Sequence, residues 1–200
     1  MFYETANNDH GLPHNPFKAI VAPRPIGWIS TADREGRTNL APYSFFNAVC
    51  DRPPMVMFSS SGRKDSLKNI EATGEFVCNL ASYDLREQMN RSSADFEHGI
   101  SEFSEAGLAA APSRLVKPPR VAEALAALEC RCLQVIRPVD IHGRAADNWI
   151  VLGQVVGVHI DERAIVDGRF DVTFARPLSR LGYMDYAVVD AVFPMVRPKA

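Results

Sequence analysis

Residues 59–66, "SSSGRKDS", place several hydrogen-bond donors at one turn of the chain. The strand-like segment "MVMF" ends just before them, and a helix is predicted to begin near Asp65 or Ser66, with Asp65 as its N-cap. The first turn of a helix presents backbone N–H groups and the positive end of the helix dipole, and Arg63 and Lys64 would add charged donors. Gly62 would let the backbone approach a ligand closely. The pattern favours an anion site, and phosphate is well suited to such a turn.

The same eight residues also fit a second interpretation. A solvated turn with an ordinary helix cap is more common than a phosphate site, and the P-loop spacing G-x-x-x-x-G-K-[ST] is absent. Taken alone, the segment leaves both interpretations open. If it binds an anion, Asp65 must cap the helix and point away from that anion, because its carboxylate would repel it.

Two earlier segments could form the wall of a ligand site. In "RPIGWIST", residues 24–31, prolines on both sides of Arg24 hold the chain extended before a strand. In "NLAPYSFFN", residues 39–47, small and polar residues alternate with three aromatic residues. Such a strand could lay backbone amides and small side chains against a flat ring that is rich in heteroatoms. The alternative is an ordinary half-buried strand whose aromatic residues belong to the core.

Strand-like segments outnumber helical ones. Segments rich in Val, Ile, Phe and Cys are "AIVAPRPIGWIST", "TNLAPYSFFNAV", "PPMVMFSS", "EFVCNLA", "ALECRCLQVIRPV" and "WIVLGQVVGVHI". Between the first two, "DREGRT" predicts a hairpin turn at Gly36. Helices are predicted over "DSLKNIEATG" and "DLREQMNRSS", whereas "RVAEALAALE" is ambiguous. Together these elements predict a closed or nearly closed β-barrel with a few peripheral helices.

The segment 90–120 interrupts the strand pattern. It is polar and punctuated by Gly and Pro, and a long loop in a compact domain is typical of a lid or a binding loop. No boundary for a second domain is visible, so residues 1–200 are predicted to form one domain with its core at about 13–190.

Composition limits the partners of the chain. Its 200 residues carry a formal net charge of −2, which argues against a surface for nucleic acid or anionic membranes. The four cysteines contain no C-x-x-C pair, and Gly11 and Pro13 interrupt any helix that could align His10 with His14, so no metal site is expected. The N-terminus lacks the features of a secretory signal, and no apolar run has the length of a membrane span. Without a secretory signal or a membrane span, the chain is expected to be a cytoplasmic protein.

In their order along the chain, these segments resemble the flavin reductase-like family of FMN-binding split-barrel proteins. The matching segments run from about residue 13 to 190 and are "APRPIGWIST", "NLAPYSFFN", "PPMVMFSSSGRKDSLKNI", "TGEFVCNLA", "EFSEAGL", "LECRC", "VLGQVVGVHIDE" and "PLSRLGYMDYA". The resemblance implies a mainly β chain, an FMN-binding split β-barrel with a few peripheral helices. It also implies a homodimer that holds FMN near the subunit interface.

Carried over residue by residue, the resemblance divides the site into two parts. The isoalloxazine ring and the ribityl chain would be bordered by Trp28, Ser30, Thr31, Ala41, Ser44, Phe45, Phe46 and Asn47. The phosphate would be bound by Ser59, Ser61, Arg63, Lys64 and Ser66. This second group agrees with the independent argument from the helix N-terminus.

The resemblance implies an oxidoreductase that reduces flavin with NAD(P)H and passes electrons to an acceptor or to a partner enzyme such as an oxygenase. The flavin supplies the redox chemistry, so no catalytic residue is named. Related reductases often carry a Gly-Asp-His motif late in the chain, whereas "GVHIDE" has His159 without that motif. Nicotinamide use therefore stays open, and the alternative role for His159 is a structural hydrogen bond.

Two other functions remain possible at this point. One is a tightly bound FMN electron-transfer protein without nicotinamide reductase activity, and the other is a non-enzymatic flavin-binding domain. Arg180 and Tyr183 in "RLGYMDY", together with the loop 90–112, are candidates for contact with a nicotinamide or an acceptor. For the "RLGYMDY" segment the alternative is packing between subunits.

Overall fold

A computed structural model describes residues 1–97 and 99–198 of the chain, so His98, Lys199 and Ala200 lie outside the described residues. The strands are β1 (Arg24–Pro25), β2 (Gly27–Ala32), β3 (Thr38–Tyr43), β4 (Phe46–Asp51), β5 (Pro54–Ser61), β6 (Glu75–Leu80), β7 (Ala110–Ala111), β8 (Arg120–Val121), β9 (Ala126–Ile136), β10 (Asn148–Ile160), β11 (Ile165–Val166), β12 (Arg169–Phe170), β13 (Leu178–Arg180) and β14 (Tyr186–Val188). The helices are α1 (Phe17–Ile20), α2 (Asp65–Thr73), α3 (Arg86–Arg91), α4 (Glu102–Glu105) and α5 (Val172–Ala175), with 3₁₀ turns at Tyr83–Leu85 and Glu162–Ala164. The predicted mainly β fold with a few peripheral helices is confirmed.

The main sheet contains seven antiparallel strands in the order β3-β2-β6-β9-β10-β5-β4. The register between β9 and β10 shifts at Leu152/Gly153 and again at Val155/Gly157, and such irregularities bend a strand pair. Gly153 allows the close approach of Phe76, because a Cβ at this glycine would lie 2.3 Å from Phe76 Cζ. These features let the long strands curl around the core.

An aromatic cluster joins β3, at one edge of the sheet, to β5, the neighbour of the strand at the other edge. The rings of Tyr43 on β3 and Phe58 on β5 have centroids 4.7 Å apart, and Phe58 meets Phe76 edge-on at 5.7 Å. Leu67 and Ile70 of α2 are buried in the same cluster, so apolar burial holds this helix on the barrel. The terminal strands β3 and β4 are not paired with each other. The sheet therefore forms a barrel with one open seam.

The segment 90–120, which the sequence indicated as a lid or a binding loop, is anchored to the barrel. It contains α4 and β7, and Phe103 and Leu108 are buried in a second apolar cluster with Trp28. The Glu102 carboxylate also accepts hydrogen bonds from Asn39 Nδ2 at 3.0 Å and from Leu40 N–H at 2.9 Å. Apolar side chains and one carboxylate thus fix this polar segment beside β3. Within this segment, His98 lies outside the described residues.

Local predictions were right at most turns and helices. Gly36 has φ 85° in the β2–β3 hairpin, and α2 and α3 lie within the two predicted helical segments. The ambiguous "RVAEALAALE" is not a helix: it contains β8, a turn and the start of β9. Ala126 and Ala127 lie on β9, in the middle of the sheet, whereas Ala122 and Ala124 lie between β8 and β9.

Candidate functional site

The loop between β5 and α2 ends at an N-cap residue whose side chain forms no hydrogen bond to the first turn of α2. Gly62 has φ 75°, and Lys64 is the N-cap, with extended backbone and no side-chain capping bond. The prediction that Asp65 is the N-cap is wrong: Asp65 is the first helical residue, and its Oδ1 accepts from Lys68 Nζ at 2.9 Å. Because a lysine side chain cannot accept a hydrogen bond, the N–H groups of Ser66 and Leu67 receive no capping bond from the N-cap side chain.

A cavity of about 250 Å³ opens beside this turn and is lined by Lys64–Ser66, by β3 residues, by residues 92–96 and by Glu102. Tyr43 lines it, is only 8% exposed, and its Oη has no hydrogen-bond partner in the described part of the chain. Burial raises the pKa of this phenol, and the neighbouring hydroxyls of Ser66 and Ser60 act in the opposite direction. A buried hydroxyl without a partner costs free energy, which an acceptor atom of a ligand would offset. The sequence had not singled out Tyr43 as a site residue.

The cavity beside α2 is not basic overall. Lys64 Nζ lies 3.9 Å from Asp95 Oδ1, and both side chains are exposed, so this ion pair contributes little. Glu102 is half-buried, and this burial raises the pKa of its carboxyl group. Asp65 is a third carboxylate in the lining. An anion is therefore favoured at the N–H groups and Lys64, away from the carboxylates.

Arg63, just before α2, forms an ion pair with a carboxylate of that helix. Its guanidinium donates to both carboxylate oxygens of Glu71, and its Cζ lies 5.9 Å from the Trp149 ring centroid. The side chain is about half exposed, so it can exchange partners without leaving the surface. Arg63 would have to share or leave Glu71 in order to bind an anion.

The serines of β5 alternate between the two faces of the strand. Ser59 is half-buried and its Oγ accepts from Asn148 Nδ2 at 3.2 Å, while Ser61 is exposed. Ser60, which the sequence had not assigned, is buried and donates to Gly62 O at 3.0 Å. The hydroxyls of Ser59 and Ser61 therefore face away from the core, and Ser60 stabilises the turn.

The aromatic segment lies directly beside the serines of β5. The Ser59 N–H donates to Phe45 O at 2.8 Å. Phe45 is 36% exposed, Ser44 and Phe46 are half-buried, and Asn47 is exposed on the edge strand β4. Ala41 lines the cavity beside α2. The structure thus brings these aromatic-segment residues and the β5–α2 turn into one region.

Four predicted site residues have their side chains in the interior. Trp28, Ser30, Thr31 and Ser66 are at most 1% exposed. Trp28 Nε1 donates to Ser92 Oγ at 2.9 Å, and Ser30 Oγ donates to Pro119 O. Thr31 accepts from Asn69 at 3.0 Å, and Ser66 donates to Asn39 at 3.2 Å. The side chains of Trp28, Ser30 and Thr31 lie on β2, which is covered on both faces, and in this structure they join elements of the protein. Ser66 belongs to α2 and also lines the cavity beside that helix.

Arg24 is a buried cation that holds the chain around the aromatic segment. It is 7% exposed and donates to the carbonyl oxygens of Lys18, Val21 and Leu181. Its Cζ lies 5.9 Å from the Phe45 ring centroid. The N-terminal segment and the segment after β13 therefore meet at this guanidinium.

His159 has a structural contact. Its Nε2 is hydrogen-bonded to the buried carboxylate of Glu129, which also accepts from the N–H groups of Arg114 and Leu115 at 2.7 and 2.6 Å. Burial raises the pKa of Glu129, but the His159 contact and the two N–H groups outweigh it and lower this pKa overall. This agrees with the structural alternative for His159.

Comparison with known proteins agrees with this architecture. The family model described as "Flavin reductase like domain" matches residues 21–177. The chain is similar to nitrilotriacetate monooxygenase component B from Bacillus cereus, with 28% identity, a TM-score of 0.86 and coverage of 98% of each chain. It is equally similar in sequence, at 28% identity, to 2-nitrobenzoate 2-nitroreductase from Pseudomonas fluorescens, with a TM-score of 0.85 and coverage of 99% and 96%.

A third structure, from Shewanella frigidimarina, is described as having a split barrel domain. It covers 99% of this chain and 100% of its own, with a TM-score of 0.85 and 21% identity. None of the described helices has the length and apolar character needed to cross a membrane. The predicted split barrel is thus confirmed, and the chain belongs to the flavin reductase-like domain family.

Proposed function

We propose that this chain is an FMN-dependent oxidoreductase that uses NAD(P)H to reduce its flavin. The observation that carries the proposal is the β5–α2 turn, where N–H groups left unsatisfied by the N-cap, Lys64 and two outward serines lie beside an exposed aromatic segment. Membership of the flavin reductase-like family supports it. So do two similar proteins, a monooxygenase component B and a nitroreductase, whose names describe oxidoreductases or their components.

The residues at the turn fit a phosphate monoester. The first N–H groups of α2 would donate to its oxygens, and Lys64 and the hydroxyls of Ser59 and Ser61 would add donors. Arg63 would join after exchanging Glu71 for the phosphate. The Tyr43 hydroxyl, which lacks a partner among the described residues, is a further donor for the ligand.

The aromatic segment fits a flat ring. Phe45 and Phe46 offer apolar surface, and Ala41, Ser44 and Asn47 are small or polar enough to let the ring approach the backbone. Bound FMN would accept a hydride from NAD(P)H and pass the electrons to an acceptor or a partner oxygenase. The role of the chain is to bind and orient the ring, and we assign no proton-transfer residue.

We further propose a homodimer in which the second copy covers the ring site. Asn47, Ala48 and Val49 are exposed along the edge strand β4, and Val49 is 51% exposed. An exposed apolar edge strand is unfavourable in a monomer. Sedimentation equilibrium should give twice the mass of the chain, and a monomer at micromolar concentration would contradict this arrangement.

Visible spectroscopy of the purified protein under anaerobic conditions tests the proposed activity. After addition of FMN we expect flavin bands that are bleached by NADH or NADPH, with dithionite as the control that reduces any bound flavin. A bound flavin that is bleached by dithionite but by neither nicotinamide would favour the electron-transfer protein. No spectral change on titration with FMN would indicate a non-enzymatic domain whose β5–α2 turn is only a helix cap, and it would contradict the proposal.

A further inference from the structure

A second cavity, of about 430 Å³, lies between the Tyr83–Asn90 segment and the β13–β14 hairpin. It is separate from the β5–α2 turn and is lined by Tyr83, Arg86, Glu87, Met89, Asn90, Leu178, Arg180, Met184, Tyr186, Ala187 and Val188. Its volume falls in the range of small-molecule sites.

Backbone hydrogen bonds fix both walls of this cavity. Leu178 N–H donates to Ala81 O at 2.8 Å, and Tyr83 N–H donates to Arg176 O at 2.9 Å. The β13 strand is also paired with β1 on one side and with β14 on the other. The cavity is therefore a preformed feature of the protein and does not require closure of a loop.

Arg180 presents a positive charge in the cavity wall. Its Cζ lies 4.5 Å from the Tyr186 ring centroid, and its Nη2 donates to Tyr183 O. Tyr183 adopts φ 56°, a left-handed conformation that is uncommon outside glycine. No carboxylate in residues 1–97 or 99–198 forms an ion pair with Arg180. The guanidinium is held in place by a ring and a carbonyl, and its charge is not neutralised.

Arg86 adds a second guanidinium on the opposite wall. Its Cζ lies 4.2 Å from the Tyr83 ring centroid, and its Nη1 donates to Tyr83 O at 3.0 Å. Its carboxylate neighbour, Glu87, is 3.4 Å away but 79% exposed, so water screens this pair. Two cations thus face one screened carboxylate, and Met89, Leu178 and Val188 make part of the lining apolar.

We propose that this cavity binds a small planar carboxylic acid. A guanidinium pairs with a carboxylate through two parallel hydrogen bonds, which a single Lys could not provide. The tyrosine, methionine and aliphatic side chains of the lining suit an aromatic ring attached to that carboxylate. A free inorganic anion would leave this apolar surface uncovered.

Arg180 lies beside an arginine that is close to the region proposed for the flavin ring. Arg180 is the register partner of Arg24, whose Cζ lies 5.9 Å from the Phe45 ring centroid. An acid bound to Arg180 would therefore lie on the Phe45 side of the molecule, as a substrate of the flavin would. This step rests on the proposed function, whereas binding of the acid does not.

Isothermal titration of the purified protein with benzoate tests the binding. Benzamide is the neutral probe of the same shape, and we expect it to bind at least about tenfold more weakly, because it cannot form the charge-assisted pair. Arg180→Gln should weaken benzoate binding by about tenfold or more. Arg144→Gln, which removes an exposed arginine paired with Asp140 in another hairpin, should leave the benzoate Kd unchanged.

Benzoate affinity that is unaltered in Arg180→Gln, equal affinity for benzamide, or no benzoate binding at millimolar concentration would overturn the proposal. If circular dichroism shows that Arg180→Gln is unfolded, Arg86→Gln takes its place, because the Arg86 side chain is partly exposed. The benzoate titration does not require bound flavin. Benzoate can therefore bind even if NAD(P)H does not reduce the flavin, and flavin reduction can occur even if benzoate does not bind.

Discussion

Ser59 and Phe45 are joined by a backbone hydrogen bond of 2.8 Å, from the Ser59 N–H to the Phe45 carbonyl oxygen. It lies next to the Phe46–Phe58 pair at the end of the β4–β5 ladder. The donor-rich end of β5 is therefore fixed beside the aromatic segment by the backbone. The spacing between the proposed phosphate and ring positions does not depend on side-chain rotamers.

Lys64 should contribute more to FMN affinity than Arg63 does. Arg63 must exchange Glu71, whereas Lys64 has only an exposed ion pair with Asp95. We expect Lys64→Gln to raise the Kd for FMN about tenfold, Arg63→Gln to raise it less, and the double variant to raise it most. Fluorescence quenching of FMN measures this. Arg163→Gln is the charge-matched control at a distant exposed pair, and an unchanged Kd in the double variant would refute the phosphate site.

Tyr43→Phe should separate ligand binding from stability. The Tyr43 hydroxyl is buried without a partner among the described residues, so its removal should leave the free energy of unfolding of the flavin-free protein unchanged or raise it by about 1 kcal/mol. FMN affinity should fall if the hydroxyl donates to the ligand. Urea denaturation and FMN titration give the two values. A loss of stability above about 1 kcal/mol would mean that the hydroxyl has a partner in the folded protein.

Glu129→Gln should lower stability in a pH-dependent manner. The pKa of Glu129 is lowered in the folded protein, so its ionised form stabilises the fold above the ordinary carboxyl pKa of about 4.3. That contribution is lost as the pH falls through the lowered pKa. At pH 7 we expect a cost of about 1.5–3 kcal/mol, because charge-assisted bonds to the loop N–H groups are lost.

The matched control for this change is Glu75→Gln. Glu75 accepts from Lys117 N–H in the same segment, but at an exposed position. Its replacement should cost less than about 1 kcal/mol. Urea denaturation from pH 7 to pH 3 should show the two variants and the wild type converging, and a Glu129→Gln difference that grows toward acid would contradict the assignment.

Gly153→Ala tests the curl of the sheet. A methyl group there would lie 2.3 Å from Phe76 Cζ in the core, and we expect a loss of about 1–3 kcal/mol from overpacking. Gly157→Ala is the control, because its nearest atom would be Leu115 Cδ1 at 3.4 Å. Shortening the neighbour in Gly153→Ala/Phe76→Leu should recover part of the loss. Additive effects of the two changes would contradict a direct clash.

Local patterns predicted the hairpin at Gly36, the α2 helix and the strand-rich fold, since each depends on neighbouring residues. They could not show that β2 is covered on both faces. Alternation distinguishes the two faces of a strand but does not show whether either face is open, and only the resemblance placed Trp28 and Ser30 at the flavin site. Asp65 was predicted as the N-cap on residue preference, but the helix begins one residue earlier than an Asp65 cap allows, with Lys64 as the N-cap.

The second cavity could not have been predicted from spacing. Arg86 and Arg180 are far apart in the sequence and meet only because Leu178 pairs with the backbone at Ala81. The "RLGYMDY" segment had indicated Arg180 as a candidate. Its partner on α3 required the tertiary fold.

Ser66, Asn39 and Glu102 form a continuous hydrogen-bonded chain from the first turn of α2 to α4. Glu102 also holds the N–H of Leu40, so a ligand that stabilises the first turn of α2 would oppose local unfolding of the anchored 101–108 segment. Addition of FMN should then slow amide hydrogen exchange at 101–108, and equal exchange rates with and without FMN would show that the two regions open independently. Through thermodynamic linkage, the hydrogen-exchange rate of residues 101–108 would then depend on FMN, although this segment does not itself bind the phosphate.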